Sequence, residues 1–482
     1  MTSKSVKINS LLNTIKTLVA LAFPVITYPY ALHVLGVDNI GKYGFSKSIV
    51  NYFVLLAGLG IARYATREGA RLRDDKKELE RFACQMLSIN IISTILSYAI
   101  LFFLVFNSNK LGDYKEIILI QSITILLTTL GMDWIYACME EYLFITIRSI
   151  VVQSLSIIAL FIFVRNDNDL IAYTWILTIS SCGTFLINFF LIVRRFRIRI
   201  SFKGTAEHLG PIFLLFASSI SSMVYVNSDS TMIGIFLNDH TVGIYEAATR
   251  IYSVLQQMVS ASILVTLPRL SNYLANGRND DYKKLLSETF CYVNTIIFPV
   301  SIGVFCTSND IIHLVAGESY ADSVNALRIL SISLFISMYG IFLTNALLLP
   351  MKKEATVTVA MAAAAIINVL LNFIMIPALH QDGAAITTVL AELVVLVIQL
   401  YAIKTNWKLI EINKKELIGI VVGTLIIALI CLLSNAFFDI MLPRLLFAVV
   451  VSIILYSGIQ IAFQNRLMVL AIDYLKNKVK SK

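Results

Sequence analysis

Charge is scarce in this chain. Only 14% of its 482 residues are Asp, Glu, Lys or Arg, against about a quarter in a soluble domain. Cysteine is sparse too, and the six, Cys84, Cys138, Cys182, Cys291, Cys306 and Cys431, include no CxxC pair. That leaves no zinc-site or disulfide framework, and small buried apolar residues are the expected role. No GxxxxGK[ST] segment is present, which removes nucleotide hydrolysis by that route; no HExxH, GxSxG or His/Cys cluster with metal spacing occurs either. The chain therefore reads as neither an enzyme nor a cofactor or metal carrier.

Long apolar runs fill the space that charge leaves. The composition is 58% hydrophobic, and about 20 such residues suffice for one helix to cross a bilayer. About fourteen stretches qualify: 10–35, 41–66, 84–106, 114–138, 143–164, 169–193, 209–236, 243–268, 286–306, 325–349, 354–377, 381–403, 416–437 and 441–463. The fold class expected is an all-α polytopic membrane protein. Residues 1–9 are polar and the first stretch is long, so a cleavable signal peptide is not expected.

The basic residues orient these stretches. With a cytoplasmic N-terminus, about 29 of the 39 lysines and arginines fall in the even-numbered loops and the two tails. Both termini are therefore expected in the cytoplasm, and the net charge of +9 becomes a topology signal with some attraction to anionic inner-leaflet lipid. Nucleic-acid binding would need a basic domain, and none is present. The longest outside loop, 307–324, holds only Asp310, Glu318 and Asp322. Polytopic glycosyltransferases and polymerases usually need a large outside domain for their sugar chemistry.

An internal repeat organises the chain. Gly41-Lys42-Tyr43 recurs as Gly243-Ile244-Tyr245, and Tyr64-Ala65-Thr66-Arg67 aligns with Thr266-Leu267-Pro268-Arg269, both 202 residues on. Stretches 1–6 and 7–12 then form two copies entering the membrane in the same direction, a parallel repeat. The domains expected are a six-helix lobe at 1–203, a second at 204–404, and a helix pair with a basic tail at 405–482. Two facing lobes suggest a transporter that rocks about a central cavity.

Ionisable groups inside spans are costly, so they face protein-lined cavities. In the eighth stretch Glu246, Arg250, Ser253, Gln257 and Ser260 share one helix face. Glu246 and Arg250, at i and i+4, also suit a plain ion pair. In the seventh, Ser218, Ser222, Tyr225 and Asp229 form a similar stripe. In the second, Lys47 lies on a face with Gly44, Asn51 and Gly58 and has no acid at i±3 or i±4. Lys16 and Arg63 lie near the inner ends of their spans, where long side chains also snorkel to the interface. Pro24 and Pro29 favour a kink in the first span. Lys47, Arg250, His33 and Arg63 make the inventory cationic, which suits a phosphate-bearing ligand.

The segment Phe23-Pro24-Val25-Ile26-Thr27-Tyr28-Pro29-Tyr30, with Val34-Leu35-Gly36 and Gly41-Lys42-Tyr43-Gly44-Phe45, resembles the start of the O-antigen and capsule repeat-unit flippases. These are polysaccharide transporters of the multidrug/oligosaccharidyl-lipid/polysaccharide exporter superfamily. Leu59-Gly60-Ile61, Tyr64 through Glu68, Asp133-Trp134, Glu140 and Ile145 through Ser149 extend the resemblance over 20–150. It implies a V-shaped, MATE-like fold of two six-helix lobes, alternating access, and an undecaprenyl-pyrophosphate-linked oligosaccharide as cargo. His33 stands where the family commonly has arginine, so a fixed charge there is not assured.

The function expected is a flippase carrying such units from the inner to the outer leaflet of a bacterial cytoplasmic membrane. Lys47, Arg250, His33, Arg63, Lys16, Asn51 and Gln257 are the candidate substrate contacts. Asp229, Asp133 and Glu246 are the candidates for coupling to protons or sodium. Membrane lipid and polysaccharide-assembly machinery are the further partners considered. The alternatives are a drug/cation antiporter of the same superfamily and a membrane glycosyltransferase or polymerase.

Overall fold

A computed structural model describes the backbone of residues 3–404 and 406–470, with side chains at 19 and from 22 onward in that range, Tyr142 apart. Among the described residues there are helices and connecting turns and no strand. The chain divides into two compact units, Met1–Gly243 and Ile244–Lys482.

The first unit contains α1 (Ser3–Gly58), α2 (Ile61–Leu72), α3 (Lys76–Asn107), α4 (Asn109–Gly112), α5 (Lys115–Gly131), α6 (Asp133–Cys138), α7 (Tyr142–Phe163), α8 (Leu170–Arg195) and α9 (Ala206–Phe236). The second contains most of α10 (Asp239–Leu264), then α11 (Leu267–Ala275), α12 (Asn279–Val315), α13 (Ser323–Phe342), α14 (Glu354–Ala402), α15 (Lys414–Phe437) and α16 (Met441–Ala462). Among the described residues eleven helices are long and apolar enough to cross a membrane, so this is a multi-pass membrane protein. Two of the eleven cover two expected stretches each. In α1 the break is Gly36, at φ 74°, a conformation a glycine adopts without steric cost. In α14 it is His380, at φ 54°, three residues beyond Pro377.

The prolines of α1 act differently from the expectation. Backbone angles stay helical through Pro24 and Pro29, and Gly36 is the non-helical residue. Thr27 Oγ1 donates to the Phe23 carbonyl at 2.8 Å, one of the local ways in which a membrane helix accommodates proline.

Local chemistry sets the ends. Asp75 caps α3, its side chain accepting from the backbone amides of Lys77 and Glu78. Arg194 and Arg195 end α8, where cations offset the partial negative charge of the helix terminus. Leu59 and Gly60, both at positive φ, end α1 and turn the chain into α2.

Small polar residues join the helices of the first unit. Ser93 and Ser97 of α3 donate to the carbonyls of Ala57 and Phe53 at 2.6 and 2.7 Å, and Asn90 donates to Ala57 at 3.0 Å. Such bonds matter in a bilayer, where apolar side chains gain little from leaving lipid. Around Tyr64, Phe82 and Trp134 an apolar cluster packs α2, α3 and α6 together. In the second unit Leu334, Met338 and Phe342 centre the core, and Tyr282 Oη donates to the Ala346 carbonyl at 2.9 Å in a π-helical turn.

Positions 202 residues apart meet within the first unit. A methyl group on Gly41 would run into the Asp239 carbonyl, and one on Gly243 into the Val37 carbonyl. Val37 and Asp239 are themselves 202 residues apart, and each stands four residues before its own copy's glycine. His240 Nδ1 and Asp38 Oδ1, again 202 apart, lie 3.0 Å from each other. The contact is reciprocal.

Candidate functional site

The polar face of α1 meets α9 within the first unit. Lys47, Ser48, Asn51 and Tyr52 share that face by helical spacing. Asn51 Nδ2 donates to Asn227 Oδ1 at 2.9 Å, and Thr231 Oγ1 donates to Ser48 Oγ at 2.8 Å. Asn227 is itself fixed by a 3.0 Å bond to the Met223 carbonyl. Phe45 fills the place where a Gly234 side chain would stand, which lets the two helices approach.

Lys47 is exposed at the edge of this face. Its ammonium donates to Tyr43 Oη at 3.1 Å and lies 5.4 Å from the Tyr43 ring centroid. Tyr43 is buried, edge-on to Tyr173. A cation backed by a fixed aromatic ring, beside amide and hydroxyl pairs, can take an anion on its open side.

The structure thus brings Lys47 and Asn51 together and adds Asn227, Ser48 and Thr231. Asp229 lies on the same stretch of α9 and is buried, 6% exposed. Arg63 opens the first turn of α2 and is exposed. His33 is exposed, and its Nδ1 lies 2.8 Å from the Pro29 carbonyl. The Lys16 side chain lies outside the described residues.

Asp133 belongs to a separate clamp. Its Oδ1 accepts from Arg148 Nη2 at 2.8 Å and from Asn188 Nδ2 at 2.6 Å, joining α6, α7 and α8. The Arg148 side chain is 4% exposed, with its guanidinium carbon 5.8 and 5.3 Å from the Tyr136 and Phe144 ring centroids. Two more ion pairs stand near it: Arg73 to Glu140 at 2.7 Å and Arg195 to Glu141 at 2.6 Å. The Glu140 hydrogen bond is the main cause that raises the Arg73 pKa.

In the second unit, Glu246, Arg250 and Gln257 lie along α10. Arg250 and Gln257 are exposed and Glu246 is half-buried, while Ala247, Ala248, Val259 and Ile263 are buried. The stripe's hydroxyls and amide turn inward on their own backbone: Ser253 donates to the Arg250 carbonyl at 2.9 Å and Gln257 to the Ser253 carbonyl at 3.1 Å. Such bonds cap the polar groups locally and leave the guanidinium of Arg250 at the surface.

Sequence reasoning missed two groupings. Asn372, Asn368 and Thr387 form a buried chain across the bend of α14, with Asn372 Nδ2 to Asn368 Oδ1 at 3.2 Å and Thr387 Oγ1 to Asn372 Oδ1 at 2.5 Å. Gln256 donates to Tyr252 Oη at 3.0 Å and to Ser337 Oγ at 3.3 Å. Glu392, one turn beyond Thr388 on α14, is buried. Uncharged amides and hydroxyls inside apolar runs were the available signal.

Comparison with known proteins places the chain. A family model described as "Polysaccharide biosynthesis protein" matches residues 6–274. A putative O-antigen transporter of Escherichia coli (strain K12) is 22% identical over 390 residues, covering 80% of this chain and 93% of that one. Among solved structures, the lipid II flippase MurJ in an inward closed conformation has a TM-score of 0.75 at 16% identity, over 96% of this chain and 99% of that one. An outward-facing multidrug resistance MATE family transporter of the MOP superfamily has a TM-score of 0.51 at 17% identity, over 83% and 94%. These two share the fold. With more than half of its length matched by the family model, the chain belongs to the polysaccharide biosynthesis protein family.

Proposed function

We propose that this protein is a flippase that moves undecaprenyl-pyrophosphate-linked oligosaccharide repeat units from the inner to the outer leaflet of a bacterial cytoplasmic membrane. The observation that carries the reading is the exposed Lys47 ammonium, inside a membrane helix, backed by Tyr43 and flanked by the Asn51–Asn227 pair. A cation inside a membrane helix is costly, and such groups face the protein interior or a water-filled cavity. The name of the E. coli relative supports a saccharide-bearing cargo, as the name of the lipid II flippase supports a lipid-linked one.

On this reading Lys47 meets the pyrophosphate and Asn51 meets sugar or phosphate oxygens. Arg250 and Gln257 contribute from the second lobe, and the polyprenyl chain stays in lipid. His33, Arg63 and Lys16 line the path on the first lobe. The lobes are 1–203 and 204–404, with the helix pair 405–482 appended, fourteen crossings in all and both termini cytoplasmic. The reciprocal Gly41–Gly243 contact then closes the outer side and separates when the cargo leaves. Coupling to protons or sodium falls to Asp229, Asp133 or Glu246, and the polysaccharide-assembly machinery receives the product.

The test is export in cells. Lys47→Ala removes surface polysaccharide while the protein still inserts, and Lys47→Arg keeps part of the activity. Full export by Lys47→Ala would remove the residue from the cargo path.

A further inference from the structure

Helix α2 has two distinct sides. Ile61, Tyr64, Ala65 and Gly69 are buried, with Gly69 against the Trp134 ring. The other side carries Arg63, Arg67 and Arg71, all exposed. Spacing of i, i+4 and i+8 puts the three stems on one helix face. One carboxylate serves them: Glu68 lies 3.2 Å from Arg71 Nη1 and 3.6 Å from Arg67 Nε. Among the described residues no ion pair involves Arg63. The face keeps a net positive charge.

This face rests on a fixed support. Tyr64 Oη lies 2.8 Å from His208 Nδ1, and His208 Nε2 lies 3.1 Å from Gln85 Oε1, which ties the start of α2 to α9 and α3. Arg73 ties its end to Glu140. Groups held this way lose little freedom when a ligand arrives.

The second copy lacks the stripe. At the same offset α11 keeps an arginine, Arg269 for Arg67, but has Tyr273 for Arg71. Attraction to bulk anionic lipid acts on both copies alike, whereas three arginines on one short helix make a local device. Guanidinium forks grip phosphoryl oxygens bidentately. Neighbouring stems, about 6 Å apart, suit the two phosphoryl groups of one diphosphate. Only the turn at Leu59 and Gly60 separates this helix from the one that carries Lys47.

We propose that the Arg63–Arg67–Arg71 face is a loading site that captures the diphosphate of a polyprenyl-linked saccharide before the head group reaches Lys47. The proposal rests on the transport reading above and adds the place of first capture. Its occupant is the diphosphate lipid, not bulk phospholipid.

The test uses full-length protein in nanodiscs of zwitterionic lipid, titrated with geranylgeranyl diphosphate. Wild type binds, and binding weakens as salt rises. Replacing all three arginines by glutamine weakens it about tenfold or more, with the unfolding temperature unchanged, while Arg269→Gln binds as wild type does. Should the triple variant unfold, Arg63→Gln, which breaks no ion pair, carries the test and weakens binding by several-fold. Wild-type affinity in these variants would overturn the loading site, and so would displacement of the probe by phosphatidylglycerol as readily as by more diphosphate lipid. In either case export by wild type and its loss in Lys47→Ala would leave the transport reading standing. If wild type binds no diphosphate lipid at all, the transport reading fails and the loading site with it.

Discussion

The two units use charge and neutral polarity in different ways. In the first, three ion pairs, Arg73–Glu140, Arg148–Asp133 and Arg195–Glu141, brace the ends of α2, α6, α7 and α8. In the second, two ion pairs between helices hold the C-terminal helices: Arg444 of α16 to Asp310 of α12, and Glu416 of α15 to Arg466 beyond α16. The interior of the second unit relies on amides and hydroxyls around Asn372 and Tyr252. An ionised group inside an apolar helix is thus a poor guide to ligand contact by itself. Arg148 and Asp310 are buried members of such pairs, and Lys47, Arg63 and Arg250 reach the surface.

Breaking a brace should give the largest effect. Arg148→Met removes the buried guanidinium that ties α7 to Asp133 and leaves that carboxylate with its Asn188 bond. The unfolding temperature in detergent should fall clearly, and adding Asp133→Asn should restore part of it. If Arg148→Met unfolds like wild type, the clamp is not a brace.

Overfilling the reciprocal contact comes next. Gly41→Val forces the backbones at Asp239 and Gly41 apart, an overpacking worth about 1–3 kcal/mol. Cysteines placed at Asp38 and His240 should cross-link in the wild-type background and fail to do so beside Gly41→Val. Equal cross-linking in both would show that the segment yields without separating.

The second unit gives the finer test. Combining Glu246→Arg with Arg250→Glu preserves a pair but moves the cation by one turn, about 5.4 Å. Each single variant should lose export and the double should not recover it, because phosphate recognition depends on where the cation sits. Recovery in the double variant would reassign Arg250 to a structural pair. The smallest expected disturbance is a topology map. Reporters fused at Lys110, Asn238 and Asp439 should read outside, and those at Lys76 and Lys283 inside, with no loss of stability.

Membrane helices were legible because each crossing needs a long apolar run, and those runs dominate the composition. The amphipathic α2 and α11 hid inside stretches read as loops or span ends, since neither is apolar enough to signal a crossing. The clamp on Asp133 could not be read from spacing: Arg148 is 15 residues away on another helix. The stripe on α9 shows a subtler limit. Spacing grouped Tyr225 with Asp229, and it did not single out Asn227 and Thr231, which also bond to α1. A pattern tells which residues share a face, and only packing tells which face meets a neighbour.

Transport by the purified protein tests the central claim most directly. Proteoliposomes would carry a fluorescent polyprenyl-diphosphate oligosaccharide on both leaflets, with a glycosidase added outside to trim the exposed sugars. Wild-type protein should make nearly all of the lipid accessible to the enzyme, while Lys47→Ala proteoliposomes should stop at about the outer-leaflet half seen without protein. Equal trimming with Lys47→Ala and wild type, or none beyond the protein-free level with wild type, would contradict the account.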